Sequence, residues 1–267
     1  MLTSSVPRLA GISLVINTKA REGIGFQLWP AAHACAAFVQ ESNQEGNWAG
    51  AQVLELGAGV GLTGLLIAAL GACVTMTDLP GVVGLIQENI DSNAHMLRLC
   101  PGAGTATAAA LPWGDASALE AFGAHARRWD YILCADVVYR RELFQPLLKT
   151  LTACAGPGTV VVFGHVKRWK VRASCILRMV YVPSHHPSRN EGHPGNRLSL
   201  HIIPAQHVAA PLCRSQHESA FWKELGRTFE KPREAYVHPL GPGEKRPARV
   251  LLTKRSTIQT AAMSSPP

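Results

Sequence analysis

Hydrophobic and polar positions alternate in blocks along residues 12–165. Ile12 to Ile16 reads as a short strand. Gly23-Ile-Gly-Phe-Gln-Leu-Trp-Pro30 interrupts the pattern, and Ala31 to Gln40 follows as a helix, with Pro30 suited to a first helical position. After a polar loop from Ser42 to Gly50, an apolar run from Val53 ends at Gly57. A helical stretch spans Leu62 to Leu70, and a second apolar run from Ala72 to Thr77 ends in Asp78. Pro80 to Met96 reads as a helix carrying Gln87, Glu88, Asn89 and Asn93. Pro101-Gly-Ala-Gly104 is a turn, and Thr105 to Ala110 and Asp130 to Ala135 are strands. Arg140 to Ala155 is a helix, and Gly156-Pro-Gly158 turns the chain into a strand from Thr159 to His165. Apolar runs too short for helices, separated by helical stretches, predict βα units on a parallel sheet.

The alternation stops over residues 171–216, which are rich in Pro, Ser, Gly and His and hold no period. It resumes with an amphipathic helix from Glu218 to Glu230, with Phe221, Leu225 and Phe229 on one face. Ala235 to Leu240 and Ala248 to Thr253 read as strands around Gly241-Pro-Gly243. Ser256 to Pro267 reads as disordered.

Charge changes this picture less than its total suggests. The chain has 267 residues, enough for one α/β domain with a large core, and a formal net charge of +8. Residues 1–170 carry 12 Lys/Arg against 12 Asp/Glu, whereas residues 171–216 carry 5 against 1 and residues 231–267 carry 7 against 2. The excess lies outside the regular βα region and therefore does not mark that region's substrate as nucleic acid. Seven scattered cysteines without a C-x-x-C pair fit a reducing compartment and predict no zinc site. His185, His186, His193, His201 and His207 match no metal-ligand spacing. No apolar run reaches the length of a membrane span. Arg8, Lys19 and Arg21 precede the first acid, Glu22, as in a transit peptide; a first strand is the better reading of Ile12 to Ile16.

The chemistry concentrates at Val53-Leu-Glu-Leu-Gly-Ala-Gly-Val-Gly61. Glycines are required where a strand turns sharply into a helix and a ligand lies against the backbone. The helix that follows aims unpaired N–H groups at the same place. A dinucleotide, S-adenosylmethionine and no ligand are the alternatives. The spacing Gly57-x-Gly59-x-Gly61 is not the G-x-G-x-x-G of a pyrophosphate site, and Glu55 would repel a phosphate. Glu55 suits a ligand with a sulfonium and an amino group, so S-adenosylmethionine is favoured. Asp78, at the next strand tip, suits the two hydroxyls of a ribose.

Trp29 is either a core anchor or an aromatic wall of the pocket. Trp113, in Leu111-Pro-Trp-Gly-Asp115, stacks on an adenine or packs on the next helix. Asp136 either caps the helix from Arg140 or joins Tyr139, Glu55 and Asp78 at one sheet edge, which is the favoured reading.

Leu28-Trp-Pro-Ala-Ala32, the glycine-rich stretch, Thr77-Asp-Leu-Pro80, Leu111-Pro-Trp-Gly114, Ala135-Asp-Val-Val-Tyr139 and Glu218-Ser-Ala-Phe-Trp222 occur in this order. Over residues 12–170 and 217–253 the chain resembles the seven-strand protein-lysine methyltransferases called methyltransferase family 16. The resemblance implies an α/β, Rossmann-like class I S-adenosylmethionine-dependent methyltransferase formed by residues 1–170 and 217–253. It implies that Trp29, Gly57, Ala58, Gly59, Asp78, Trp113 and Ala135 line the cofactor site, joined by Glu55 and Gly61 of the same turn. Asp136 and Tyr139 would lie beside the methyl group and the incoming lysine. It further implies a soluble protein substrate of chaperone or elongation-factor type, with no nucleic acid or membrane partner. A monomer is expected, in the cytoplasm with the nucleus as a second location.

The family lacks a long insert after the fifth strand, so residues 171–216 are a departure, expected to be a disordered insert. Val171 needs a codon beginning GT and Gln216 is compatible with CAG, the borders of an intron. A retained intron is the reading. Removing it joins Trp169-Lys170 to His217-Glu218 with family-like spacing. Residues 254–267 are expected to form a disordered tail.

Overall fold

A computed structural model describes residues 2–5, 12–43, 48–166, 216–237 and 248–254. The elements run β1 (Leu2–Ser5), β2 (Val15–Thr18), α1 (Pro30–Ser42), β3 (Gln52–Leu56), α2 (Leu62–Ala69), β4 (Cys73–Asp78), α3 (Pro80–Leu99), β5 (Thr105–Ala110) and α4 (Ala116–Phe122). They continue with β6 (Tyr131–Ala135), α5 (Phe144–Cys154), β7 (Val160–Val166), α6 (Gln216–Thr228), β8 (Arg233–Val237) and β9 (Ala248–Lys254). Seven strands form one sheet in the order β5-β4-β3-β6-β7-β9-β8. The strands β5, β4, β3, β6 and β7 are mutually parallel, and β9 runs antiparallel between β7 and β8. β1 and β2 pair with each other in a separate antiparallel ribbon.

Side-chain alternation along the strands divides the core in two. On one face Val53, Val74, Met76, Leu133 and Val162 pack against apolar residues of α1, α2 and α3. On the other, Leu54, Leu56, Ile132, Cys134, Val161 and Phe163 pack against α4, α5 and α6. Strands buried on both faces explain why they read as near-continuous apolar runs. α2 is buried along its whole length, which explains its lack of an amphipathic stripe. Phe221, Leu225 and Phe229, expected on one face after Glu218, are all buried in the second core.

The strand order reverses between β3 and β6. Connections from their carboxyl ends leave to opposite faces and open a crevice there, the usual ligand position in open α/β sheets.

Four elements depart from expectation. The strand expected from Ile12 begins at Val15 and pairs with β1 outside the seven-stranded sheet, and β1 and α4 were not anticipated. The helix expected from Arg140 opens instead with a 3-10 turn at Arg141–Leu143, and α5 starts at Phe144. Residues 171–215, the five histidines among them and Gly241-Pro-Gly243 lie outside the described residues, as does the tail after Lys254; Gln216 begins α6.

Candidate active site

The strand β3 delivers its chain into the crevice through Gly57, Ala58, Gly59 and Gly61. The three glycines hold φ of 68°, 56° and 79°, a left-handed backbone that costs other L-residues roughly 1–2 kcal/mol. At Gly57 a Cβ would also sit 2.8 Å from Trp113 Cζ2 and 3.1 Å from Val137 Cγ1. Main-chain bonds fix the turn: Ala58 N donates to Thr77 O at 3.0 Å, and Gly59 N donates to Asp78 Oδ2 at 2.8 Å.

Asp78 ends β4. Its Oδ1 accepts from Leu79 N at 2.7 Å, and burial raises its pKa against the pull of these two N–H groups. Each carboxylate oxygen accepts more than one hydrogen bond, so acceptor capacity toward a diol remains. Leu111 N donates to Asp78 O, which ties the β5 loop to the same tip. That loop carries Trp113. Gly114 N donates to Thr150 Oγ1 at 2.8 Å and Lys149 Nζ donates to Gly114 O at 2.9 Å, so α5 braces the turn behind the indole. The Trp113 ring thus borders the glycine turn itself.

Glu55 lies on the same face of β3 as Val53, beneath α2. It is 1% exposed, and its Oε2 accepts from Gly64 N at 3.0 Å. Gly64 has no room for a side chain: a Cβ there would meet Glu55 Oε2 at 2.6 Å. Burial pushes the Glu55 carboxyl up to about 8, the nearby Asp78 charge adds to this, and the Gly64 N–H pulls the other way. The carboxylate lies against the first turn of α2, beneath the glycine turn, a partner that sequence spacing did not suggest.

Across the switch point, Ala135 closes β6, opposite Gly164 on β7. Asp136 follows with φ of 61°, the sole non-glycine residue in that region among those described. Its N–H donates to Gly164 O at 2.8 Å, and the residue is 5% exposed. It caps no helix, since α5 begins after Leu143 without a side-chain cap. Strained backbone of this kind, held in place by a neighbouring strand, is characteristic of functional positions. Tyr139 is half-buried three residues on. His165, one residue past the Gly164 pair, is buried with its ring 5.9 Å from that of Trp222 on α6. Trp29 stands at the start of α1, its indole N–H donating to Ile24 O at 3.0 Å.

Glu55, Gly57, Ala58, Gly59, Gly61, Asp78, Trp113, Ala135 and Asp136 thus all belong to the carboxyl edge of β3, β4, β5 and β6. Among the described residues no cluster of three His, Cys, Asp or Glu could hold a metal ion. A glycine cradle without side chains, an acid at the second strand tip and an indole beside the cradle fit a nucleoside-bearing cofactor.

Fold and crevice together define a class I S-adenosylmethionine-dependent methyltransferase. The backbone superposes on the T. thermophilus 16S rRNA N2 G1207 methyltransferase with a TM-score of 0.56 at 17% identity, covering 96% of this chain and 50% of that one, a likeness of fold. A family model described as lysine methyltransferase matches residues 8–180, and the chain belongs to that family. S-adenosylmethionine is its cofactor, and the family is one of lysine methyltransferases. The chain is 32% identical to mouse EEF1A lysine methyltransferase 3 over 65% of its length and 69% of that protein. It is 31% identical to Xenopus tropicalis protein N-lysine methyltransferase METTL21A over 69% of its length and 78% of that protein. With Xenopus tropicalis EEF1A lysine methyltransferase 3 the match, at 33% identity, covers 52% of this chain and only 56% of the relative.

Proposed function

We propose that this chain methylates a lysine of a soluble protein partner of elongation-factor or chaperone type, in the cytoplasm, with Asp136 and Tyr139 at the acceptor. The names of the mouse and Xenopus relatives, which specify EEF1A, support the substrate class. The observation that carries the residue roles is Asp136, buried at φ 61° on the strand next to the glycine turn.

When bound, S-adenosylmethionine supplies an electrophilic methyl group on a sulfonium. The glycine turn and Asp78 hold its nucleoside and amino-acid parts from the β3 and β4 tips, with Trp113 and Trp29 as aromatic walls. An acceptor lysine must arrive neutral. Its ordinary pKa is about 10.4, so burial among Trp222, Tyr139 and their neighbours favours loss of its proton to solvent. Asp136 then accepts a hydrogen bond from the amine and aims its lone pair at the methyl, and Tyr139 restricts the approach. Transfer of the methyl to the neutral amine would leave the cofactor as its neutral thioether and the lysine as a methylammonium, which departs with the charge. Positioning of this kind supplies much of a displacement's rate.

The test is transfer of a labelled methyl from the cofactor into a cell lysate, with and without nuclease. A labelled protein band that survives nuclease, with label recovered as methyl-lysine after hydrolysis, is expected. Label confined to nucleic acid or small molecules, or cofactor binding without transfer, overturns the reading.

A further inference from the structure

We infer that Asn89 is a positioning residue for the cofactor, coupling the segment that precedes α1 to the glycine turn. The inference rests on the cofactor site described above. β2 lies on α3, clasped by two asparagines one helical turn apart. Asn93 accepts from Val15 N at 2.8 Å and donates to Val15 O at 2.7 Å. Asn89 repeats the clasp on the next residue but one, accepting from Asn17 N at 2.7 Å and donating to Asn17 O at 3.1 Å. The spacings agree, because four helical residues rise about 6 Å and two strand residues about 6.7 Å.

The two clasps differ in their remaining bond. Asn93 Nδ2 donates to the Asn89 carbonyl of its own helix at 2.7 Å. Asn89 Nδ2 donates at 2.8 Å to Val60 O, between Gly59 and Gly61. Asn89 is wholly buried, so one side-chain amide joins β2 to the cofactor turn away from water. The chain beyond the clasp continues over that turn. Lys19 pairs with Glu88 at 2.8 Å and its N–H donates to Phe26 O at 2.9 Å. Gly25 O lies 3.2 Å from the place a Cβ on Gly59 would occupy. The segment then reaches Trp29. A ligand that orders the glycine turn therefore also orders residues 17–29, and the coupling is reciprocal.

Breaking a buried hydrogen bond and leaving its partner unsatisfied is a large local change, whereas Asn93 offers a matched control that never touches the turn. Binding of S-adenosylhomocysteine is measured by calorimetry alongside thermal melts. Asn89→Ala should raise its Kd about tenfold, and Asn93→Ala should leave it within about twofold while lowering the melting temperature comparably. Asn89→Asp keeps the acceptor for Asn17 N–H and loses both donated bonds of Asn89; it should also weaken binding and serves if the alanine variant fails to fold. In the unaltered chain, S-adenosylhomocysteine should slow hydrogen exchange of the Asn17 amide more than that of Val15. Equal Kd changes for the two asparagines, unaltered affinity in a folded Asn89 variant, or equal protection of the two amides overturns the coupling alone. A wild-type chain that takes up no S-adenosylhomocysteine overturns the functional reading and the coupling with it.

Discussion

Gly57 and Asp136 stand at neighbouring strand tips with nearly the same backbone, φ 68° and 61°, and they solve opposite problems. At Gly57 the left-handed turn removes a side chain so that main chain can face a ligand. At Asp136 the same geometry is imposed on a residue that has a side chain, at a cost of roughly 1–2 kcal/mol. The donor end of the crevice is thus built from backbone, held by Thr77 O, Asp78 and Asn89. The proposed acceptor end is built from side chains, with Asp136 held by β7 and His165 in aromatic contact with α6. The contrast teaches that cofactor binding and transfer should be separable by single substitutions.

The largest separation is expected at the acceptor end. Asp136→Asn tolerates the left-handed backbone and removes only the charge. It should lower methyl transfer at saturating cofactor about a thousandfold, through lost orientation of the amine, and leave S-adenosylhomocysteine affinity within twofold. Transfer at the wild-type rate would break the contrast. Gly57→Ala acts on the other end. Its Cβ meets the Trp113 ring at 2.8 Å, so the indole and the turn cannot both stay in place. Calorimetry should show affinity reduced about a hundredfold, and a variant with normal affinity but slow transfer would show that the two ends are not distinct.

The smallest effect sharpens the donor end. With the Glu55 carboxyl pushed up to about 8 in the fold and near 4.5 when unfolded, the native chain holds the extra proton between those values. Wild-type stability therefore falls as pH rises from about 4.5 through 8. Glu55→Gln can still accept from Gly64 N–H and escapes that loss. It should be more stable than wild type near pH 7 in melts without cofactor, with the gap closing toward pH 4.5. A gap that is constant with pH would mean that Glu55 is not titrating in this window.

Much of the donor end was legible because its signals are local. An apolar run, glycines at alternate positions and an acid at the next strand tip lie within Val53–Asp78, and the strands β3 to β7 were placed to within a residue or two. At the proposed acceptor end the sequence points to Asp136 and Tyr139. His165 was not singled out, since its place follows from the β6–β7 register rather than from spacing along the chain. α4 was missed because seven residues carry too little period, although its ends were marked: Asp115 Oδ1 accepts from Ala118 N, and Gly123 is left-handed at the C-terminus. Asn89 and Asn93 were noted as polar helix residues, and their spacing of four is the signal that they share a face. What they clasp, Val15 and Asn17 of β2 more than 70 positions earlier, is a tertiary fact. β1 is four residues of Leu-Thr-Ser-Ser, without the alternation that marks a half-buried strand.

The antiparallel insertion of β9 between β7 and β8 bears on how the protein is made. Among the described residues Val160–Val166 finds its outer partner in Ala248–Lys254, so a growing polypeptide lacks that described partner for the valine-rich border until nearly ninety further residues have left the ribosome. An open border of this kind templates association with other chains. Nascent molecules should therefore depend on chaperone cover until residues 248–254 emerge, and products released before residue 248 should accumulate as aggregates.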